Sequence, residues 1–304
     1  MSYRLISPHT LDRDLKRVVQ DCIDNALAQL DHKGKKLHEG IHETRKQIKE
    51  IRAVLKLIRT EPGFDYAEEN AWFRKQANSL SALRDAKAML EVCDALSITF
   101  AGQLDHDPFP ALHTRLNDRL KVVMAEHPRL HHELSALQKV FTHARPRVLA
   151  WPLKDRGFGT IEDGLLKSYR KGRTAYRQCR SNPDEADFHV WRKRVKEHYY
   201  HISLLLSAWP GELEGRQHSL KQLSDLLGDD HDLLVLEQQV NTAPKDFGTQ
   251  GEVEHLLDLI YRRRQQVQSC ALSIGARLYA ENPLAHIKRL AAYWACWDEE
   301  SAKG

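Results

Sequence analysis

Apolar positions recur at i, i+3, i+4 and i+7 along most of the 304-residue chain, and strand-like alternation is scarce. The pattern predicts long helices over residues 8–31, 36–59, 66–100 and 110–143, then 162–180, 185–207, 213–240, 251–281 and 284–298. The breaks fall where the backbone chemistry asks for them. Thr60-Glu61-Pro62-Gly63 parts the second and third helices, Asp105-His106-Asp107-Pro108 precedes the fourth, and Asn182-Pro183 and Trp209-Pro210-Gly211 punctuate the second half. Proline lacks an N–H, and glycine tolerates the backbone of a helix end. The Pro- and Gly-bearing stretch from Arg145-Pro146 to Gly157-Phe158-Gly159 is the expected junction. With about 150 residues per domain as a guide, the chain divides into two all-α units, residues 1–150 and 151–304.

A second regularity lies on top of the first. His42-Glu43-Thr44-Arg45-Lys46-Gln47-Ile48-Lys49-Glu50 reads H-x-x-R-K-x-I-K-E, and His189-Val190-Trp191-Arg192-Lys193-Arg194-Val195-Lys196-Glu197 reads H-x-x-R-K-x-V-K-E. From His42 to His189 the spacing is 147 residues. The same spacing carries Asp85 of Leu83-Arg84-Asp85-Ala86-Lys87 onto Asp232 of Asp230-His231-Asp232-Leu233, Arg74 onto Lys221, and Phe73 onto Leu220. One spacing that serves separate segments predicts two copies of a bundle of about four helices.

At about 100° per residue, His42, Arg45, Lys46, Lys49, Arg52 and Lys56 share one stripe of the second helix. Ile41, Ile48, Ile51, Leu55 and Ile58 fall opposite and form the expected core face. Like charges at i,i+4 repel by a few tenths of a kcal/mol per pair, and only Glu43 and Glu50 stand near to offset them. Most charge runs are solvated faces. Here the same cations recur in the second copy as His189, Arg192, Lys193 and Lys196, with Tyr199 and Tyr200 replacing Arg52 and Ala53. Packing selects apolar residues, so a repeated row of cations points to a polyanion. Tyr169-Arg170-Lys171-Gly172-Arg173, Arg262-Arg263-Arg264 with Arg277, and Lys288-Arg289 are further basic groups of lower specificity.

Net charge is only +4, so the arrangement of charge carries the inference and its sum does not. Cys22, Cys93, Cys179, Cys270 and Cys296 form no C-x-x-C pair, which fits buried thiols in a reduced, cytosolic protein. The start, MSYRLISPHT, has no apolar segment of the signal-peptide kind, and no run of about 18 apolar residues predicts a membrane span.

His38-Glu39-Gly40-Ile41-His42 is a literal H-E-x-x-H. Gly40 inside the helix, the lack of an evident third ligand and the absence of the pattern before His189 speak against a zinc centre. His42 and His189 either donate to phosphate or bond to a neighbouring helix, with Asp85 and Asp232 as candidate partners. These two aspartates are expected to orient the cationic row. No phosphate loop, dinucleotide fingerprint or nucleophile elbow occurs, and no paired acids suggest a magnesium site, so neither catalysis nor a cofactor is expected.

The two His-led cationic helices, the Leu-Arg-Asp-Ala-Lys segment, the Asp-His-Asp-Leu segment and Tyr169–Arg173 resemble the CHAD family, the conserved-histidine α-helical domain, over about residues 3–295. The resemblance implies two four-helix bundles related by pseudo-two-fold symmetry around a basic groove or pore. It also implies binding of inorganic polyphosphate and, in some members, location on polyphosphate granules. Carried onto this chain, Arg45, Lys46, Lys49, Arg52 and Lys56 line the groove from the first half, and Arg192, Lys193 and Lys196 from the second. Arg170 and Arg173 lie nearby. His42, His189, Arg74, Arg84, Lys87 and Lys221 complete the candidate set. The triphosphatase domain attached to many relatives, with its E-x-E-x-K motif, has no counterpart in this sequence. A nucleic-acid ligand is the first alternative, although only Tyr199 and Tyr200 in the row could stack on bases; a metal-dependent phosphatase or hydrolase is the second.

Overall fold

A computed structural model describes residues 3–32, 36–101, 109–125 and 130–303; within the helices, the side chains of 81–86, 111, 123–125, 130 and 131 are not described. The described residues form eleven α-helices and no strand, and 84% of them are helical. They are α1 (Leu11–Leu30), α2 (Leu37–Leu57), α3 (Tyr66–Asn78), α4 (Ser81–Thr99), α5 (Phe109–Ala125), α6 (Leu130–Leu149), α7 (Glu162–Ser181), α8 (Glu185–Leu204), α9 (Pro210–Thr242), α10 (Gln250–Leu278) and α11 (Pro283–Ser301).

One expected helix is two helices. The segment 66–100 breaks after Asn78, where the hydroxyl of Ser79 donates to the Gln76 carbonyl and Leu80 leaves helical geometry at φ −105°, ψ 11°. Asn and Ser side chains compete for backbone groups, and that ends the helix although the apolar period runs on. The expected helix over 110–143 is described as α5 and α6, and residues 126–129 between them lie outside the described residues. Conversely, α6 continues through Pro146 to Leu149, so the junction starts later than its proline suggests.

Helix starts follow capping chemistry. Asp184 accepts the Ala186 N–H at the start of α8, Thr249 and Glu252 form a capping box on α10, and Pro210 occupies the first turn of α9. Gly40 sits within α2 because α1 ends against it; a methyl group there would run into the Gln29 carbonyl oxygen. This close approach accounts for the glycine inside H-E-x-x-H.

Packing follows a recurring order. In the first half α1 packs on α2, α2 on α3, α4 on α5 and α6 on α1; in the second α7 packs on α8, α8 on α9, α9 on α10 and α11 on α7. The apolar interior forms two cores. The larger gathers Leu15, Ile51, Phe73 and Phe141 with Tyr169, Trp191, Leu223 and Trp294. The smaller joins Cys93, Leu96 and Leu116 to Leu236, Val240 and Leu256. Each core draws on both halves of the chain, and α9 and α10 run through both.

Candidate functional site: two basic clusters where α2 crosses α8

The core face of α2 is as the sequence predicts: Ile41, Ile48, Ile51, Leu55 and Ile58 are buried. His42 and Lys46 are exposed, and Arg45, Lys49, Arg52 and Lys56 are half-buried. On α8, Phe188, Trp191 and Val195 are buried, Lys193 is exposed, and Arg192 and Lys196 are half-buried. The helices are tied where the His201 ring meets the Ala53 carbonyl at 3.0 Å and the Lys56 ammonium meets the Glu197 carboxylate at 2.7 Å.

On one side of this crossing Lys49 and Lys196, equivalent at the 147-residue spacing, come close enough to repel. Burial, then Arg192 and Lys49, push the Lys196 ammonium down to about 7, and Asp232 and Asp225 only partly oppose them. His189 Nδ1 lies 3.3 Å from Nδ1 of His231 on α9. Burial, Arg192, His189, Lys196 and Lys193 hold His231 down to about 4, which keeps it neutral at pH 7. His189 thus reaches a neighbouring helix through His231. Asp232 acts on Lys196. The side chain of Asp85 lies outside the described residues.

A second cluster gathers around Glu197. Glu197, 3% exposed, accepts from Lys56, from Ser168 Oγ at 2.5 Å and from Arg194 at 3.3 Å. Burial pushes its carboxyl up, but Lys56, His201 and the bonds from Lys56 and Ser168 outweigh it and bring it down to about 2. Around this one anion stand Arg52, Arg59, Lys171 and Arg194. Lys171 is pushed down by burial and then by three cations, Arg194, Arg59 and Lys167. Arg74, exposed on α3, in turn pushes on Arg52, whose Nε donates to Asn70 at 3.0 Å.

Arg59, Lys167 and Arg194 were not among the expected site residues. Arg59 extends the α2 stripe by one more i+3 step, a signal present in the sequence. Arg194 has no such signal, because it lies off the repeated row and its equivalent is Gln47. Other expected residues are occupied elsewhere. Arg45 donates to the Ala77 carbonyl at the end of α3 (2.7 Å), and Arg173 to the Tyr279 carbonyl at the end of α10 (3.0 Å), satisfying helix termini. Lys46 pairs with Glu43 at 3.2 Å, and Lys221 with Asp225 at 2.6 Å. His42 lies 3.9 Å from Glu43. Arg170 is exposed on α7, Lys87 sits on α4 in the helix pair of the smaller core, and the side chain of Arg84 is outside the described residues.

The thiols differ from expectation in part. Cys22, Cys93 and Cys179 are buried, whereas Cys270 and Cys296 are exposed; all five are free. Among the described residues no group of three His, Cys, Asp or Glu side chains could hold a metal ion. No described helix is long and apolar enough to cross a membrane.

The comparisons with known proteins agree with this architecture. The crystal structure of the CHAD domain from the plant Ricinus communis superposes with a TM-score of 0.53 at 16% identity, covering 93% of this chain and 95% of that one, which shows a shared fold. No curated protein matches the chain. The family model for the CHAD domain matches residues 17–241, about three quarters of the sequence, and the chain therefore belongs to the CHAD family.

Proposed function

We propose that this protein binds inorganic polyphosphate across the α2–α8 crossing, as a binding module and not an enzyme. The observation that supports it most is the meeting of Lys49, Arg192 and Lys196, cations of both copies gathered at the cost of a depressed lysine. A folded chain tolerates such repulsion when a ligand relieves it. Membership of the CHAD family points to the same ligand class. Arginine supplies paired donors to phosphate oxygens and lysine a compact charge, and each phosphate neutralised releases counterions.

In this reading Lys46, Lys49, Arg192, Lys193 and Lys196 contact one stretch of the polymer. Arg52, Arg59, Lys167, Lys171 and Arg194 contact the next, and Lys56 with Glu197 divides them. The halves are two related copies, as the recurring helix pairs suggest, around a shared basic groove. A cytoplasmic location, on polyphosphate granules in particular, follows from the ligand.

Calorimetric titration with long-chain polyphosphate at two salt concentrations, with single-stranded RNA of equal charge as competitor, tests this. Tight, salt-sensitive binding that RNA does not displace and that Lys49→Glu/Lys196→Glu loses is the expected result. Equal competition by RNA would make the site a general polyanion surface, and no binding to either would overturn the proposal.

A further inference from the structure

The last position of the repeated motif is Glu50 in the first copy and Glu197 in the second, and both are buried. Glu197 receives the Lys56 ammonium from the opposite half. At the 147-residue spacing, Ser203 stands where Lys56 stands. Its hydroxyl donates to the Tyr199 carbonyl, so the equivalent position on α8 supplies no ammonium. Where Glu197 has a lysine, Glu50 has a space: a cavity of about 210 Å³ bounded by Tyr3, Asp21, Asn25, Lys46, Gln47 and Glu50, with Val18 and Cys22 as its apolar wall.

Two residues of this wall, Gln47 and Glu50, present acceptors short of donors. Gln47 is 8% exposed, and its Oε1 has no hydrogen-bond partner. A buried acceptor left so costs about 1–3 kcal/mol. Glu50 is 6% exposed; among the described residues its carboxylate accepts the weak Cys22 thiol, at 3.7 Å, and feels the Lys46 ammonium through space. The Tyr3 hydroxyl donates to the Glu50 main-chain carbonyl and not to the carboxylate. Asp21 adds a second carboxylate, which accepts from Arg17. An anion is disfavoured by the two carboxylates. A hard divalent ion takes six or more oxygens, and no such cluster exists among the described residues. The volume exceeds the roughly 150 Å³ apolar cavity that admits benzene in an engineered core, so an ion with a short hydrocarbon tail fits.

We propose that this cavity binds a small primary ammonium ion. The –NH3+ group donates to the Glu50 carboxylate and Gln47 Oε1, as Lys56 does to Glu197, and its alkyl tail lies on Val18 and Cys22. Lys46 stands at the wall with its own ammonium held by Glu43. The inference does not depend on polyphosphate as the ligand of the basic clusters.

The test uses the full chain at pH 8, free of polyphosphate. n-Butylammonium chloride and its neutral isostere n-butanol are titrated by calorimetry and by ligand-observed NMR, with the wild type, Glu50→Gln and Lys46→Ala. Saturable butylammonium binding, at least tenfold tighter than butanol, is expected, with at least a tenfold loss in Glu50→Gln and none in Lys46→Ala. Equal affinity for amine and alcohol in the unaltered chain would overturn the proposal, whether or not the variants fold. Absence of binding in the wild type, or binding seen only after Lys46→Ala, would overturn it too, because Lys46 would then be the occupant.

Discussion

Glu50 and Glu197 end the same nine-residue motif, yet one is arranged to keep a proton and the other to lose it. Burial pushes Glu50 up to about 7, with the nearby Lys46 ammonium and the Cys22 thiol opposing only in part. Glu197, as deeply buried, is brought down to about 2 by Lys56, His201 and Ser168. The two side chains sit on equivalent turns of α2 and α8. The donors differ: Ser203 stands where Lys56 does across the helix pair, and Val54 and Asp21 stand where His201 and Ser168 do. Burial alone therefore does not decide the charge of a repeated carboxyl; the donor that reaches it from the partner helix does. The repeated motif thus ends in an ion pair on α8 and, on α2, in a carboxyl that faces no lysine from the other helix.

The largest expected effect is in the second copy, at the ion pair. Glu197→Gln leaves Lys56 and Arg194 buried without their anion and should lower unfolding free energy by about 3–5 kcal/mol, measured by urea denaturation. Because the folded carboxyl is depressed from 4.5 to about 2, its contribution is complete above about pH 4.5 and is lost as pH falls through about 2. A wild-type and variant pair equally stable at pH 7 would break the comparison.

The next effect is on ligand binding. Lys49→Met and Lys196→Met should each weaken polyphosphate binding by roughly tenfold at pH 6, by the loss of one phosphate contact. At pH 8 the cost should be smaller for Lys196→Met, since Lys196 is pushed down to about 7 and is mostly neutral there. Equal losses at both pH values would show that Lys196 keeps its proton throughout.

In the first copy the sign reverses. The folded protein holds a proton on Glu50 that the unfolded chain releases between about 4.5 and 7, so this group makes stability fall as pH rises through that window. Glu50→Gln should therefore stabilise the chain by about 1–2 kcal/mol at pH 8 and by almost nothing at pH 4. Destabilisation at pH 8 would mean that Glu50 already has a cation.

The smallest effect separates the histidines from the lysines. His189→Asn should change polyphosphate affinity by less than about threefold between pH 6 and 8, because the His231 it meets stays neutral across that range. A larger drop at pH 6 would mean that the pair charges on binding.

The composition of α2 and α8 was legible because two periods overlay each other, apolar residues toward the core and cations away from it. Most helix ends were legible from Pro, Gly and Asn. The break at Ser79-Leu80 was not, since short polar side chains ended a helix whose apolar pattern continued. Arg194 was not legible as a site residue because it lies off the repeated row, although it pairs with Glu197 three residues on along α8, and Lys167 because it enters only through its effect on Lys171 one turn along α7. Arg45 and Arg173 each donate to the last carbonyls of a neighbouring helix, so a cation on the expected stripe serves a helix end there as well.

The long α9, unbroken where the first copy splits into α3 and α4, carries Leu223 in one core and Leu236 in the other. A rod seated in two sockets cannot leave one without straining the other. Neither half of the chain holds a complete interior, so cutting between residues 150 and 151 would open both cores at once. Heating should melt them in a single calorimetric transition. The two cores thus tie the halves of the chain together, each half supplying walls that the other lacks.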